Sequence, residues 1–307
     1  MDVKDAARVI RTGGIVAFPT ETVYGLGADA LDGDAVRKIY AAKGRPADNP
    51  CIVHVSDERM LRPLVRNIPP PARALIRRFW PGPLTILFPR AANVPDAVTA
   101  GLPTVAVRMP AHPLALALIR AARTPIAAPS ANRSGRPSPT TAAHVRADFP
   151  RIPIVDGGPC AHGLESTVVD LSGRPRILRL GAITLEELKA AVPGIRVAKH
   201  TAKKPASPGM KYRHYSPNKP LLLFKDVKRM EAYARTHPRA VALCLDRHAS
   251  RFRNPVLLGK NPEEMARNLY DALRTRRGNE LLVHAVPKRG HGRAVMDRLE
   301  RAAITRT

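Results

Sequence analysis

A stretch without any long apolar run divides this chain of 307 residues into two parts. It covers residues 194–219 and is rich in Lys, Pro and Ser, a composition typical of linkers rather than of packed elements. Because a hydrophobic core does not continue across such a stretch, we expect a separate domain on each side of it. The sequence therefore predicts a first domain over residues 1–193, a linker over 194–219 and a second domain over 220–307.

The first part mixes strand and helix patterns without a strict alternation. Short apolar runs predict strands at residues 15–18, 51–55, 84–88, 104–107, 126–128, 152–155, 166–170 and 177–180. A Gly-rich and hydroxyl-rich stretch over residues 19–27 is interpreted as a loop. Apolar residues at helical spacing predict a helix over 113–122, and Thr184 with Glu187 predicts a capping box. This mixture favours an α+β domain around a twisted mixed sheet.

The second part alternates regularly between strands and helices. Strands are predicted at 221–224, 240–245 and 281–286, and helices at 227–236, 262–275 and 293–303. This rhythm is typical of a small, Rossmann-like α/β domain.

Positive charge is the unusual feature of the composition. Lys and Arg number 51 and Asp and Glu number 25, which gives a net charge of +26. Such an excess favours anionic partners such as a nucleotide, pyrophosphate or RNA, although an Arg-rich solvated surface would give the same count.

The cysteine content and the hydropathy of the sequence indicate in which cellular compartment the protein is expected. The three cysteines (51, 160 and 244) lie far apart and form no CxxC pair, so neither a zinc site nor a disulfide framework is expected. No signal peptide and no apolar run of about 18 residues occurs, so no membrane association is expected. We therefore expect a soluble cytoplasmic protein.

Cationic and hydroxyl side chains gather after the strands of the first part. Lys43 and Arg45 lie on a loop stiffened by two prolines, an arrangement suited to a polyphosphate. Arg108 ends an apolar strand, where either a ligand carboxylate or a buried Asp or Glu would pair with it. A lone histidine such as His54 is more often a satisfied core residue. No GxSxG elbow and no HExxH motif occurs, so phosphoryl or adenylyl transfer fits better than covalent or metal catalysis.

Seven ordered blocks resemble a known family. FPTETVYGLGADA, KGRPADNP, WPGPLT, TVAVRMPAHP, APSANRSGRPSPT, ESTVVD and LRLGAIT follow one another as in the YrdC-type L-threonylcarbamoyl-AMP synthases. The segment SPGMKYRHYSP and the final HGRAVMDRLERAA are similar to the two-domain branch of that family. The resemblance implies an α/β fold with a twisted open mixed sheet and a large basic cavity. It also implies that L-threonine, bicarbonate and ATP give L-threonylcarbamoyl-AMP and pyrophosphate.

The same resemblance implies partners and roles. The product would serve the N6-threonylcarbamoyl modification of the tRNA adenosine 3′ of the anticodon, through a downstream transferase. ATP, accompanied by Mg²⁺ but with no metal bound by the protein itself, would contact Lys43, Arg45, Asn49, Thr104, Ser130, Asn132, Ser138, Arg179 and Tyr215. Lys43 and Arg45 would also be catalytic. L-Threonine would contact Thr20 or Thr22, His54, Arg108, the Ala128 backbone and Ser166. Tyr212, His214 and Tyr215 of the linker would close over the cavity.

Two other functions remain open from the sequence. A double-stranded RNA- or tRNA-binding module without turnover would also carry a strongly basic surface. A carbamoyl-adenylate transferase of hydrogenase maturation would share the fold, but the acylphosphatase and zinc-finger modules of those proteins are missing from this sequence.

Overall fold

The computed structural model describes residues 1–198, 215–275 and 277–306, which form two compact units. The first unit contains Met1–Ser134 and the described residues from Pro139 to 198. The second contains Gly135–Ser138 and the described residues from Tyr215 onward. Each unit is built on a sheet of its own.

The first unit interleaves its helices and strands in mixed order. Its strands are β1 (Val16–Phe18), β2 (Gly25–Asp29), β3 (Ile52–His54), β4 (Leu84–Pro89), β5 (Thr104–Arg108), β6 (Ile126–Ala128), β7 (Thr167–Asp170), β8 (Arg176–Arg179) and β9 (Arg196–Val197). Its helices are α1 (Val3–Arg11), α2 (Gly33–Lys43), α3 (Glu58–Leu61), α4 (Pro70–Phe79), α5 (Asp96–Thr99), α6 (Pro113–Ala122), α7 (Ala142–Asp148) and α8 (Leu185–Ala191).

Side chains at the helix termini explain where the helices begin and end. Asp32 accepts hydrogen bonds from the first backbone N–H groups of α2, and Gly44 ends that helix in the left-handed conformation. Thr184 and Glu187 form a capping box at the start of α8, which confirms the sequence prediction. The position of Lys43 at the end of α2 is therefore fixed by the local sequence.

The sheet of the first unit is mixed, as the sequence predicts, with the strand order β1-β2-β6-β3-β5-β4-β7-β8-β9. β3 and β5 are parallel, whereas β4 and β6 are antiparallel to their neighbours β5 and β3. Alternation along β1 places Ala17 in the main core and places Val16 and Phe18 in a second cluster with α1 and α6. Both faces of the sheet are thus covered by apolar side chains.

Two local predictions were wrong. The stretch over 19–27 was interpreted as a loop, but its last residues open β2, which pairs with both β1 and β6. A Cβ at Gly27 would lie 2.6 Å from Ile126 Cγ2, so glycine is needed for the strands to approach. Residues 152–155 are not a strand, because only Ile154 bridges to Ala17.

The second unit has a parallel sheet with the strand order β12-β11-β13-β10-β14. Its strands are β10 (Leu221–Phe224), β11 (Ala240–Cys244), β12 (Val256–Leu257), β13 (Glu280–His284) and β14 (Thr305–Arg306). Its helices are α9 (Val227–Thr236), α10 (Pro262–Leu273) and α11 (Gly292–Ala302). Met230 of α9 packs with Leu222 and Phe224 on one face, while α10 packs against α11. The small parallel α/β domain predicted from the sequence is confirmed.

None of the helices within the described ranges has the length and apolar character needed to cross a bilayer.

Candidate active site

One face of the large sheet carries a small cluster of buried apolar side chains from strands β3, β4, β5, β7 and β8, which we call the floor cluster. Because residues of a strand alternate between faces, His54 shares the face of Ile52, and Arg108 shares the face of Ala106. Ala198, the last residue described before residue 215, packs against the same cluster. The floor cluster consists of Ile52, Leu87, Ala106, Val168 and Leu178.

The guanidinium of Arg108 is buried at one end of this floor, with only 3% of its side chain exposed. It forms an ion pair of 2.5 Å with Glu21, and its NH1 donates to Thr22 Oγ1 at 2.9 Å. Its Nε donates to the carbonyl of Gly82 at 3.1 Å. Of the two partners that the sequence left open, the structure shows the buried acid.

Glu21 is a site residue that the sequence reasoning missed. Burial raises the pKa of its carboxyl, but the charge of Arg108 and the hydrogen bonds around it outweigh burial and lower the pKa below its ordinary value. The carboxylate therefore stays ionised and balances the buried guanidinium. The signal available in the sequence was an acid flanked by two hydroxyl residues in a stretch, residues 19–27, that is otherwise free of charge.

The two threonines beside Glu21 have different tasks. Thr20 Oγ1 donates to the carbonyl of Val23 at 2.7 Å and accepts from the backbone N–H groups of Thr22 and Val23. Because that hydroxyl has one proton, the bond of 2.8 Å between the two hydroxyls is donated by Thr22. Thr20 therefore closes the turn, whereas Thr22 presents its oxygen to Arg108.

His54 lies beside Arg108 in the parallel register of β3 and β5. Its ring meets Phe18 edge-on with centroids 5.8 Å apart, and its Nδ1 lies 3.2 Å from the carbonyl of Ile52. Burial, and then the positive charge of Arg108, lowers the pKa of His54 to about 3. The imidazole is therefore neutral at physiological pH and adds no charge to this end of the site.

We expect His54→Gln to reduce the loss in the free energy of unfolding as the pH falls below neutral. An unfolded histidine protonates near pH 6.5, whereas folded His54 resists protonation down to about pH 3. Between these values the unfolded state binds the extra proton, so this contribution to the free energy of unfolding is complete above about pH 6.5 and is lost as pH falls. Urea denaturation at about pH 7 and about pH 4.5 measures the slope. An equal slope in both proteins would contradict this assignment.

Ser166 and Arg179 meet at the same end of the floor cluster. Ser166 Oγ lies 2.7 Å from Thr85 Oγ1, and Arg179 NH2 donates to Ser166 Oγ at 3.0 Å. Arg179 also donates twice to the Ser166 carbonyl. A Cβ at Gly181 would lie 2.3 Å from the Glu165 carbonyl oxygen, so this approach requires glycine. Arg179, predicted for the nucleotide, is thus placed against a residue predicted for threonine.

Lys43 organises the loop that follows β6. Its buried ammonium donates to the carbonyl of Ser130 at 2.5 Å and to the carbonyl of Asn132. Ser130 Oγ in turn donates to Asn132 Oδ1 at 2.5 Å. Three residues predicted for the nucleotide are therefore brought together around one positive charge.

Arg45 and Asn49 lie in the loop that leads into β3. Arg45 donates to the carbonyls of Asn49 at 3.0 Å and Pro50 at 2.9 Å. The side-chain oxygen Oδ1 of Asn49 is buried and accepts no hydrogen bond from the described residues. A buried acceptor of this kind is costly unless a donor reaches it.

Thr104, predicted for the nucleotide, and Arg108, predicted for threonine, lie at opposite ends of the floor cluster. The two predicted sets are not fully separated, because Arg179 contacts Ser166 and Ala128 pairs with Ile52. Thr104 and Arg108 are the first and last residues of β5, so about 13 Å of strand separates them at about 3.3 Å per residue. The Arg45 and Lys43 loops adjoin the start of β3 and the end of β6. Ala128 pairs with Ile52 there.

Two further residues predicted for ATP belong to the second unit. Ser138 is buried in the segment Gly135–Ser138, and Tyr215 is buried with a positive φ of 65°. Tyr212 and His214 lie outside the described residues. Within the described ranges no three His, Cys, Asp or Glu side chains are grouped to hold a metal ion.

Two family profiles match consecutive parts of the chain. The Sua5–YciO–YrdC family, described as telomere recombination, matches residues 8–181. The profile described as the C-terminal domain of threonylcarbamoyl-AMP synthase matches residues 183–304. The threonylcarbamoyl-AMP synthase of Pyrococcus abyssi is 46% identical over 98% of this chain and 94% of its own length. The one from Bacillus subtilis is 46% identical over 98% and 92%.

A solved structure gives the same relationship. The crystal structure of P. abyssi Sua5 complexed with L-threonine superposes with a TM-score of 0.91 at 43% identity. It covers 99% of this chain and 96% of its own. Sequence and structure thus match over both units, and the chain belongs to the threonylcarbamoyl-AMP synthase family, in the branch that joins the Sua5–YciO–YrdC domain to the Sua5 C-terminal domain.

Proposed function

We propose that this chain converts L-threonine, bicarbonate and ATP into L-threonylcarbamoyl-AMP and pyrophosphate. The observation that carries the proposal is Arg108, a guanidinium buried at the end of the floor cluster and held by Glu21, Thr22 and Gly82. The P. abyssi relative was solved in complex with L-threonine, and we extend that ligand to this chain.

Arg108 would bind the threonine carboxylate without releasing Glu21. Among the described residues, its Nε and NH1 each donate one hydrogen bond, whereas NH2 meets Glu21 as an ion pair and has no hydrogen-bond partner, so NH1 and NH2 together keep N–H donors for a ligand. A pair of N–H groups on the two terminal nitrogens matches the two oxygens of a carboxylate. The neutral His54, Ser166 and the Ala128 backbone would complete the threonine site, with Thr22 rather than Thr20 as the contacting hydroxyl.

The nucleotide would occupy the other end of the floor cluster. Lys43 and Arg45 would neutralise the β- and γ-phosphates, and the buried Oδ1 of Asn49 would accept a hydrogen bond from the nucleotide. Because Arg179 contacts Ser166, we assign it to the α-phosphate, the part of ATP that faces threonine. Thr104, Ser130, Asn132, Ser138 and Tyr215 complete the proposed ATP set.

The chemistry requires positioning and charge neutralisation. The threonine amine adds to CO₂ derived from bicarbonate and loses a proton, which gives a carbamate. A carbamate oxygen then attacks the α-phosphorus while the bond from that phosphorus to the bridging oxygen of the β-phosphate breaks. Lys43 and Arg45 stabilise the negative charge that develops on the departing pyrophosphate. Mg²⁺ would arrive with the ATP phosphates rather than in a protein cage.

The product would pass to other macromolecules. L-Threonylcarbamoyl-AMP is a mixed anhydride with AMP as its leaving group, and a downstream transferase would move its activated acyl group to the tRNA adenosine. The net charge of +26 would favour an encounter with tRNA.

The proposed reaction predicts a strict double requirement. We expect the purified full chain to release pyrophosphate and form an adenylated product only when L-threonine and bicarbonate are both present with ATP. L-Serine should support less product, because it lacks the methyl group that would pack on the floor cluster, with a deficit of about 10-fold or more. Chromatography of the nucleotide products measures both effects. ATP-binding protein that forms no threonine-dependent product would contradict the proposal, and RNA titrations against salt would then test the RNA-binding alternative.

A further inference from the structure

The four residues Gly135–Ser138 count with the second unit although the chain on both sides of them belongs to the first. The backbone N–H of Ser216 donates to the Gly135 carbonyl at 2.8 Å. NH2 of Arg274, which follows α10, donates to the Pro137 carbonyl at 2.6 Å. Gly135 and Pro137 therefore both accept hydrogen bonds from residues of the second unit, and these bonds fix the path of the short segment.

Tyr215 is held by the same unit in a conformation that tyrosine rarely adopts. Its φ of 65° lies in the left-handed region, where a side chain is strained. Its ring stacks on Tyr270 with centroids 5.5 Å apart, and the guanidinium carbon of Arg298 lies 5.0 Å from its centroid. Such a conformation persists only when the surroundings enforce it, and these two side chains supply that constraint.

A buried charge network supports the Tyr215 ring. Arg298 of α11 is fully buried; its NH1 pairs with Asp297 at 2.6 Å, and its Nε donates to Tyr270 Oη at 3.3 Å. Burial raises the pKa of Asp297, but the charges of Arg298 and Arg301 outweigh it and lower the pKa below its ordinary value. The network therefore stays ionised, which fixes Arg298 beneath the tyrosine pair.

We propose that Arg274, Tyr270 and Arg298 are positioning residues for ATP, because they fix Ser138 and Tyr215. The inference rests on the proposed function, in which both residues contact the nucleotide. It gives the second domain, in which the sequence shows no chemical motif, a defined task in nucleotide binding.

A positioning role would change the affinity for ATP selectively, whereas a purely stabilising role would change the stability of the whole fold. Loss of the Arg274 hydrogen bond would free the Pro137 carbonyl and loosen Ser138, which follows directly. ATP binding would weaken, whereas the KM for L-threonine would stay the same because its proposed ligands lie in the first unit. A general loss of stability would lower the thermal midpoint without this selectivity.

The test compares Arg274→Met with Arg277→Met in the full chain. Arg277 makes a matched bond, since its NH2 donates to the Asn254 carbonyl at 2.7 Å. We expect the Kd for ATP, measured by calorimetry without threonine or bicarbonate, to rise about 10-fold in Arg274→Met and less than about 2-fold in Arg277→Met. Arg274→Lys should recover part of the affinity, because an ammonium can donate to the same carbonyl.

Equal ATP affinities in the two methionine variants would overturn the inference. If Arg274→Met does not fold, Tyr270→Phe takes its place, because it removes the hydroxyl that accepts from Arg298 Nε and keeps the ring, and an ATP affinity equal to that of the unaltered chain would overturn the inference as well. Because the binding measurement involves no turnover, it is independent of the proposed reaction. An unaltered chain that binds ATP but forms no product would instead contradict the proposed function.

Discussion

Arg108→Met is expected to reduce threonine-dependent product formation by at least about 30-fold, because truncating a buried, hydrogen-bonded charge at a binding site costs about 2–5 kcal/mol. The variant removes the guanidinium that we assign to the threonine carboxylate and leaves Glu21 as an unpaired buried acid. The free energy of unfolding should therefore fall as well, by about 3–5 kcal/mol. Steady-state kinetics with varied L-threonine and urea denaturation measure the two effects.

A double variant separates these two consequences. Arg108→Met combined with Glu21→Gln removes both charges, so stability should recover relative to the single variant. Turnover should remain low, because no cation is left for the carboxylate. A KM for threonine within about 3-fold of the unaltered value in Arg108→Met would show that the carboxylate binds elsewhere.

Lys43→Met is expected to lower turnover by about 100- to 1,000-fold, the usual cost of losing a group aimed at developing charge. Lys43 would neutralise the leaving pyrophosphate, and its ammonium also holds the carbonyls of Ser130 and Asn132. Both losses act on the nucleotide end, so the KM for ATP should rise while the KM for threonine changes little. Pyrophosphate release with varied ATP measures this split.

Lys38→Met provides the matched control on the same helix. Lys38 also donates to a backbone carbonyl, that of Gly13 at 2.7 Å, but it is exposed and contacts residue 13 rather than the loop that follows β6. It should retain full turnover. A Lys43→Met chain as active as this control would remove Lys43 from the proposed mechanism.

Local patterns were sufficient where an element is specified by its own residues. The apolar spacing of α6 and the capping box of α8 were both read from the sequence, because periodicity and capping act within a few residues. The strand that carries Arg108 was likewise predicted from its apolar run. The reading of Arg108 as a cation in need of an anion followed from burial alone.

Long-range contacts explain what the sequence left open. β2 begins with Gly-Leu-Gly, which reads as a loop, and only the close approach of β1 and β6 makes it a strand. The choice of Glu21 as partner of Arg108 depends on a contact across 87 residues of chain. The membership of Gly135–Ser138 in the second unit is equally invisible to local patterns, because its partners lie about 80 to 140 residues further on.

The distant partners of Gly135–Ser138 also have a consequence for synthesis on the ribosome. Translation proceeds from the N-terminus at about 5–20 residues per second, and domains fold in that order. When this segment emerges, Arg274 and Arg298 do not yet exist, so a nascent or prematurely terminated chain cannot fix Ser138 and Tyr215. On the proposed roles of these residues, tight ATP binding appears only once translation has passed Arg298, and shorter nascent chains are spared futile consumption of ATP.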